Sequence, residues 1–313
     1  MLFKFLSDRR EQRARADYAA AFEARAREKR KAEPDLDADA RAYHRAAPAG
    51  KMETVPTKRM ASVRDLSLAY SPGVAAPCLD IAADPDCARA LTNKAGLVAV
   101  VSNGTAVLGL GDIGALAAKP VMEGKAALFR RFAGLNAVDL CIDEKDPARL
   151  AAIVTALEPS FGGVNLEDIK APDCFEVERL CRANMSIPAF HDDQHGTAVV
   201  VLAAVENALK ATGRRIDAVK VAVSGAGAAG LACLDLLVTA GVRKGNIIVS
   251  DKEGVVYQGR KRAMDPRKAG YAVKTGKRKL SETVVGADLF LGVSAGGVLT
   301  PAMVETMAPA PII

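Results

Sequence analysis

Apolar and polar positions follow three different textures along the 313 residues. Residues 1–33 mix Ala, Arg and Glu without any Gly or Pro, which predicts a charged surface helix reaching out from the main body. Residues 34–66 are punctuated by Pro34, Pro48 and Pro56 and read as irregular chain. From Tyr70 onward, short apolar runs alternate with helical periodicity, the texture of an α/β fold. Leu97–Ser102 and Thr105–Leu110 are apolar runs joined by Asn103-Gly104, a signal for a β-hairpin. Pro120 suits the first turn of a helix reaching about Ala133. Strands follow at Val138–Ile142 and Gly163–Leu166, with helices at Ala148–Leu157 and Cys174–Arg182. A long apolar helix over 197–211 leads into what reads as a second domain.

That second domain opens with a recognisable unit. Lys220–Ser224 is a short apolar strand, Gly225-Ala226-Gly227-Ala228-Ala229-Gly230 follows at once, Leu231–Ala240 is helical, and Asn246–Ser250 is a strand ending at Asp251. Strand, glycine turn, helix, strand and acid within about 30 residues are the context that a dinucleotide fingerprint needs. The glycines permit the tight turn, the approach of a pyrophosphate and close helix packing, and the pyrophosphate sits at the helix N-terminus. Asp251 stands where an acid would meet the ribose. The same glycine letters recur at Gly109–Gly114, but after the second arm of the expected hairpin and with Ala115–Lys119 before the next helix. That copy reads as a turn, or as a loop whose amides face a small anion, and not as a nucleotide loop.

Length and a half-hydrophobic composition allow two sizeable cores. No apolar run reaches the roughly 18–20 residues of a membrane helix, and the start MLFKFLSDRR has too short an apolar core for a secretory signal. Six cysteines without a C-x-x-C pair suggest reduced thiols and a cytoplasmic protein. The net charge of +6 is local: ten Lys or Arg face two acids between Lys252 and Lys279, so the remainder is slightly acidic. With few aromatics and no spread basic face, neither nucleic acid nor membrane is expected as a partner.

Chemistry-bearing residues concentrate in Asn165-Leu-Glu-Asp-Ile169 and Phe190-His-Asp-Asp-Gln-His-Gly-Thr197, each at the end of an expected strand. Glu167, Asp168, Asp192 and Asp193 would repel one another unless a cation joined them, and hard oxygen donors suit Mg²⁺ or Mn²⁺. His191 and His195 would need a helix to ligate zinc at their spacing; Gly196 argues against one, so both read as structural. Tyr70 in Tyr-Ser-Pro-Gly-Val-Ala and Lys125 in Pro-Val-Met-Glu-Gly-Lys are unremarkable taken singly.

Taken in order, these stretches are distinctive. Tyr70-Ser-Pro-Gly-Val-Ala, Thr105-Ala-Val-Leu-Gly-Leu-Gly-Asp112, Pro120-Val-Met-Glu-Gly-Lys125, Asn165-Leu-Glu-Asp168, His191-Asp-Asp-Gln-His-Gly-Thr197 and Ser224–Gly230 together resemble the malic enzymes, specifically the bacterial NADP-dependent type, from about Ala40 to the end. The resemblance implies an α/β fold in two parts: a malic-enzyme α/β domain over 40–196 after a helical extension over 1–39, then a Rossmann-type NAD(P)-binding domain over 197–313, incomplete at its C-terminus.

It also implies oxidative decarboxylation of L-malate to pyruvate and CO2 with reduction of NADP⁺, or of NAD⁺ as the alternative. Lys125 would be the general base, its pKa lowered by burial and a nearby cation, and Tyr70 the acid that protonates the enol. Glu167, Asp168 and Asp193 would hold Mg²⁺ or Mn²⁺, with Asp192 beside Lys125 or the metal. Gly225, Ala226, Gly227, Ala228, Ala229 and Gly230 would line the pyrophosphate. Asp251 favours NAD, while Lys252 with Arg260, Lys261 and Arg262 tips the reading to NADP. A homodimer or larger homo-oligomer is expected. Three departures stand out. Ala106 replaces a substrate-binding arginine of the animal enzymes. Residues 1–39 extend beyond the branch's usual start. The chain stops at Ile313, short of a strand ending Ala-Asn-Pro and of a phosphotransacetylase-like domain that often follows. The stop leaves an apolar strand edge bare and keeps a second reading open, a non-catalytic malate- and metal-binding protein.

Overall fold

The computed structural model describes residues 36–107 and 109–313, so the helix expected over 1–33 lies outside the described residues. Two helices occupy the stretch expected to be irregular: α1 (Leu36–Arg45) and α2 (Val63–Ala69). Pro48 and Pro56 lie between these helices and do not interrupt them, and a capping box at Ser62 and Asp65 starts α2. The chain divides into two units, residues 50–197, and residues 198–313 with the described residues before Gly50.

In the first unit, α3 (Ala75–Ala83) and α4 (Ala88–Leu91) precede a four-stranded sheet. Its strands are β1 (Leu97–Ser102), β2 (Asn136–Cys141), β3 (Gly163–Leu166) and β4 (Ala189–His191), in the order β2-β1-β3-β4, all parallel. Helices α5 (Ala115–Leu128), α6 (Pro147–Ala156) and α7 (Asp173–Asn184) connect them. The continuous apolar run Leu97–Ser102 suits a strand buried on both sides, and Ala99 to Ser102 are all fully buried. The expected hairpin is absent. β1 pairs in parallel on both edges, and the described residues of 105–110 form no second arm. Asn103-Gly104 opens that loop: Gly104 takes φ +67 and its carbonyl accepts from Ile113 and Gly114 N–H, closing residues 104–114 on themselves. Helix α5 begins directly at Ala115, which corrects the expected start near Pro120. The glycine copy at 109–114 therefore does lead into a helix, though no strand leads into it. Met122 and Ala126 of α5 pack on Val100 and Ala137 of the sheet.

Helix α8 (Asp192–Thr212) starts five residues earlier than its apolar stretch suggested, and the boundary between the units falls within it, after Thr197. The second unit holds β5 (Val221–Ser224), α9 (Ala228–Thr239), β6 (Ile247–Asp251), β7 (Gly254–Val255), α10 (Pro266–Ala269), α11 (Leu280–Thr283), β8 (Leu289–Gly292) and α12 (Pro301–Glu305). Strand order is β7-β6-β5-β8, with only β7 antiparallel. The edge of β8 is not bare: Phe290 N–H donates to Ile312, and Ile312 N–H donates to Asp288, each at 2.9 Å. Arg214 fastens the same segment by donating to the carbonyls of Pro309 and Ala310.

Candidate active site

β3 and β4 run in parallel with Leu166 opposite His191, so the residues that follow each strand leave the sheet side by side. Glu167 and Asp168 come from one, Asp192 and Asp193 from the other. Carboxylate oxygens of Glu167, Asp168 and Asp193 lie within 4.8 Å of one another. Asp168 adopts φ +53, which an L residue takes only where its surroundings impose it. Its N–H donates to Asp193 Oδ2 at 3.1 Å, and its carbonyl accepts from Ala106. The 103–107 loop thus braces the acidic turn, with Lys170 N–H donating to Thr105 Oγ1 at 3.0 Å.

Lys125, from α5, meets the acids of these two turns. Its Nζ is 2.5 Å from Asp192 Oδ2 and 3.1 Å from Glu167 Oε2. Burial and its acid neighbours push Glu167 up to about 7 and Asp168 up to about 6, and Asp193 rises for the same reasons. Three crowded, desolvated carboxylates with hard oxygen donors fit a divalent cation such as Mg²⁺ or Mn²⁺. Burial works to lower Lys125, but the bond to Asp192 and the charge of Glu167 outweigh it and hold the ammonium above its ordinary range.

Tyr70 stands apart. It caps the C-terminus of α2, is 76% exposed, and no hydrogen bond or ion pair among the described residues joins it to Lys125 or the acids. In the second unit the glycine turn has the expected form. A Cβ on Gly230 would lie 2.0 Å from the Gly225 carbonyl, so only glycine lets α9 start this close to the turn. Asp251 ends β6 and Lys252 beside it is exposed, while Arg260 is buried.

Comparison with known proteins matches residues 49–152 to the malic enzyme N-terminal domain and residues 194–313 to the malic enzyme NAD-binding domain. The crystal structure of the NAD-dependent malic enzyme of Thermotoga maritima superposes with a TM-score of 0.81 at 40% identity, covering 89% of this chain and 73% of that one. The chain belongs to the malic enzyme family. Curated relatives include an NAD-dependent malic enzyme of Rhizobium meliloti, 57% identical over 279 residues, and an NADP-dependent malic enzyme of Escherichia coli, 56% identical over 272. These alignments cover 89% and 87% of this chain, which spans 36% of the length of each relative.

Within this malic enzyme fold, sequence reasoning passed over one residue that shapes the site and misread another as a helix breaker. Glu178 on α7 is 7% exposed and meets the start of α8. It accepts from His191 N–H and Gln194 Nε2, both at 3.2 Å, and lies 2.6 Å from His195 Nε2. Contrary to expectation, His195 does lie on a helix, but its partner is Glu178 and not a metal site. His191 is fully buried, and burial lowers its imidazole to about 4, so the ring is neutral. The second residue is Gly196. A Cβ there would lie 2.1 Å from Asp192 Oδ1. The i, i+4 spacing of Asp192 and Gly196 carried that signal, but it becomes readable only once α8 is known to begin at Asp192.

Proposed function

We propose that this chain carries the malate-oxidising, decarboxylating centre of a malic enzyme, working with NADP⁺ and a divalent metal. The carrying observation is Lys125 Nζ set between Asp192 and Glu167 at the rim of the carboxylate cluster. Residues 40–196 hold substrate and metal on this reading, and 197–313 hold the dinucleotide.

Lys125 must lose a proton before it can act as a base. Asp192 Oδ2, at 2.5 Å, is placed to receive it. Lys125 Nζ then takes the proton of the malate C2 hydroxyl as hydride leaves C2 for the nicotinamide, and oxaloacetate results. Loss of the β-carboxyl as CO2 leaves the enolate of pyruvate, which takes the proton back from Lys125 Nζ to become the enol; Tyr70 then donates a proton to C3 as Lys125 removes the enol O–H proton and pyruvate results. Glu167, Asp168 and Asp193 would hold Mg²⁺ or Mn²⁺, which supplies Lewis acidity at the C2 oxygen. The glycine turn at 225–230 supplies backbone amides to the pyrophosphate. The roles of Tyr70 and of a homodimer or larger assembly in the cytoplasm are carried by the family resemblance.

Mn²⁺-dependent, malate-dependent NADPH formation tests the reading. Lys125→Ala is expected to lower that rate by about 10²- to 10⁴-fold, the usual worth of a positioned base. An unchanged rate would remove Lys125 from the mechanism. Binding of Mn²⁺ and malate without turnover would favour a binding protein instead. Tyr70→Phe should keep oxaloacetate reduction while losing pyruvate formation.

A further inference from the structure

Ser102, Asn103 and Thr105 form a polar run at the end of β1, and all three are buried, none more than 5% exposed. A polar side chain taken out of water costs stability unless it is hydrogen-bonded, so each needs a partner. Two of them are joined in one line. Lys170 N–H donates to Thr105 Oγ1 at 3.0 Å, the Thr105 hydroxyl donates to Asn103 Oδ1 at 2.7 Å, and Asn103 Nδ2 donates to the Glu144 carbonyl at 3.1 Å. The direction has no alternative. A backbone N–H can only donate and a carbonyl can only accept, so the hydroxyl passes its single proton to Asn103 and the amide turns its nitrogen to Glu144. Ser102 Oγ accepts from Gly104 N–H at 2.9 Å and stays outside the line. The line thus runs from the turn after β3, across the end of β1, to the loop after β2. Two backbone bonds join the same segments, Ala106 N–H to Asp168 and Ile142 N–H to Ser102, each at 2.9 Å.

The turn after β3 carries Asp168 at φ +53, a conformation that a residue other than glycine keeps only where its surroundings over-determine it. Three bonds do so: Asp193 on its N–H, Ala106 on its carbonyl, and Thr105 on the Lys170 N–H two residues later. The first is made by a carboxylate of the cluster itself and moves when the cluster moves. The other two come from the stretch that Asn103 pins to the loop after β2. We propose that Thr105 and Asn103 are positioning residues of the metal site: they fix the backbone of 168–170 and so hold the Asp168 carboxylate against those of Glu167 and Asp193. Their bonds run to the backbone and to each other, so they act through Asp168 and not on the ion. This rests on reading the carboxylate cluster as the divalent-cation site.

Mn²⁺ titration of the full chain without malate or nucleotide, followed by the paramagnetic resonance of the free ion, tests it. Thr105→Val keeps the shape and removes the hydroxyl. It should weaken Mn²⁺ by about tenfold, the usual loss when a ligand's outer partner is removed. Thr105→Ser keeps the hydroxyl and should bind within about twofold of the wild type. Asn103→Ala cuts the line at its far end and should weaken Mn²⁺ by about threefold, and it replaces Thr105→Val if that variant does not fold. Val154→Ala is the control for stability alone. Val154 is fully buried in the second half of α6 and takes no part in the line, so its truncation should lower the melting temperature and leave Mn²⁺ affinity unchanged. Wild-type affinity in both Thr105→Val and Asn103→Ala would overturn the proposal and leave the metal site standing. A loss in Thr105→Ser as large as in Thr105→Val would overturn it too. So would an equal loss in Val154→Ala, since stability alone would then explain the effect. A wild type that binds no Mn²⁺ removes the metal site and the proposal together. A chain that shows the Thr105→Val loss and the Thr105→Ser recovery but no malate turnover supports the proposal and sinks only the catalytic reading.

Discussion

Asp192 lies back along its own helix because position 196 offers no Cβ to block it. Gly196→Ala puts a methyl at that place, and the flexible carboxylate must swing aside. Alanine is also the better helix former, by up to about 1 kcal/mol. Stability and activity should therefore part: Tm unchanged or higher, malate-dependent turnover down at least tenfold with Asp192 gone from Lys125. A variant that lost both together would point to a packing role for Gly196. At this scale much was legible in the sequence. Lys125, Glu167, Asp168, Asp192 and Asp193 all fall in one cluster. The 2.5 Å contact of Lys125 with Asp192 was not legible, because it depends on how two elements pack and not on which residues are present.

The first turn of α8 holds two of the four clustered acids, and Glu178 of α7 ties that turn down. Glu178→Ala should weaken Mn²⁺ binding by about tenfold, measured by calorimetry without substrate, while Glu178→Gln, which keeps an acceptor, should lose less. Equal affinities in all three proteins would show that the turn holds itself. Protonation sets a second expectation. Glu167 and Asp168 sit near 7 and 6, above the usual carboxylate range near 4. Their ionisation costs the fold more than it costs the unfolded chain, so without metal, stability falls as pH rises through that window. A divalent cation prefers the ionised form, so the Tm rise on adding Mn²⁺ should be larger at pH 8 than at pH 5.5. A rise independent of pH would locate the ion elsewhere.

Element boundaries were harder to read than element types. The hairpin signal at Asn103-Gly104 was local and real as a turn, but β1 already had a partner on each edge and no third was admissible. The start of α8 was hidden because its first turn is spent on polar chemistry and not on apolar contacts.

Across the molecule, residues 309–312 lie along the edge of β8 in the second sheet. Arg214, with Asp288 at 3.4 Å, holds the 309–312 segment against β8. Arg214→Ala should lower Tm and, by freeing the edge of β8, raise concentration-dependent light scattering. Unchanged scattering would mean the Ile312 backbone bonds suffice alone. The bare edge expected from sequence was a statement about strand count. The structure answers with a two-bond bridge that no periodicity could reveal. Dinucleotide binding was legible because its unit is contiguous in sequence, whereas Asp251 pairs with Lys268, outside that unit, and the pair was read only as net charge.

The pairing of Lys125 with two acids also governs how the chain meets electrophiles. Amine acylation needs a free and accessible lone pair, whereas the Lys125 side chain is 24% exposed and its Nζ is paired with Asp192 and Glu167. Reagents such as succinimidyl esters, or acetyl thioesters in a cell, will modify the many solvent-facing lysines first. The residue on which turnover is proposed to depend is thus shielded from casual covalent damage by the same contacts that place it.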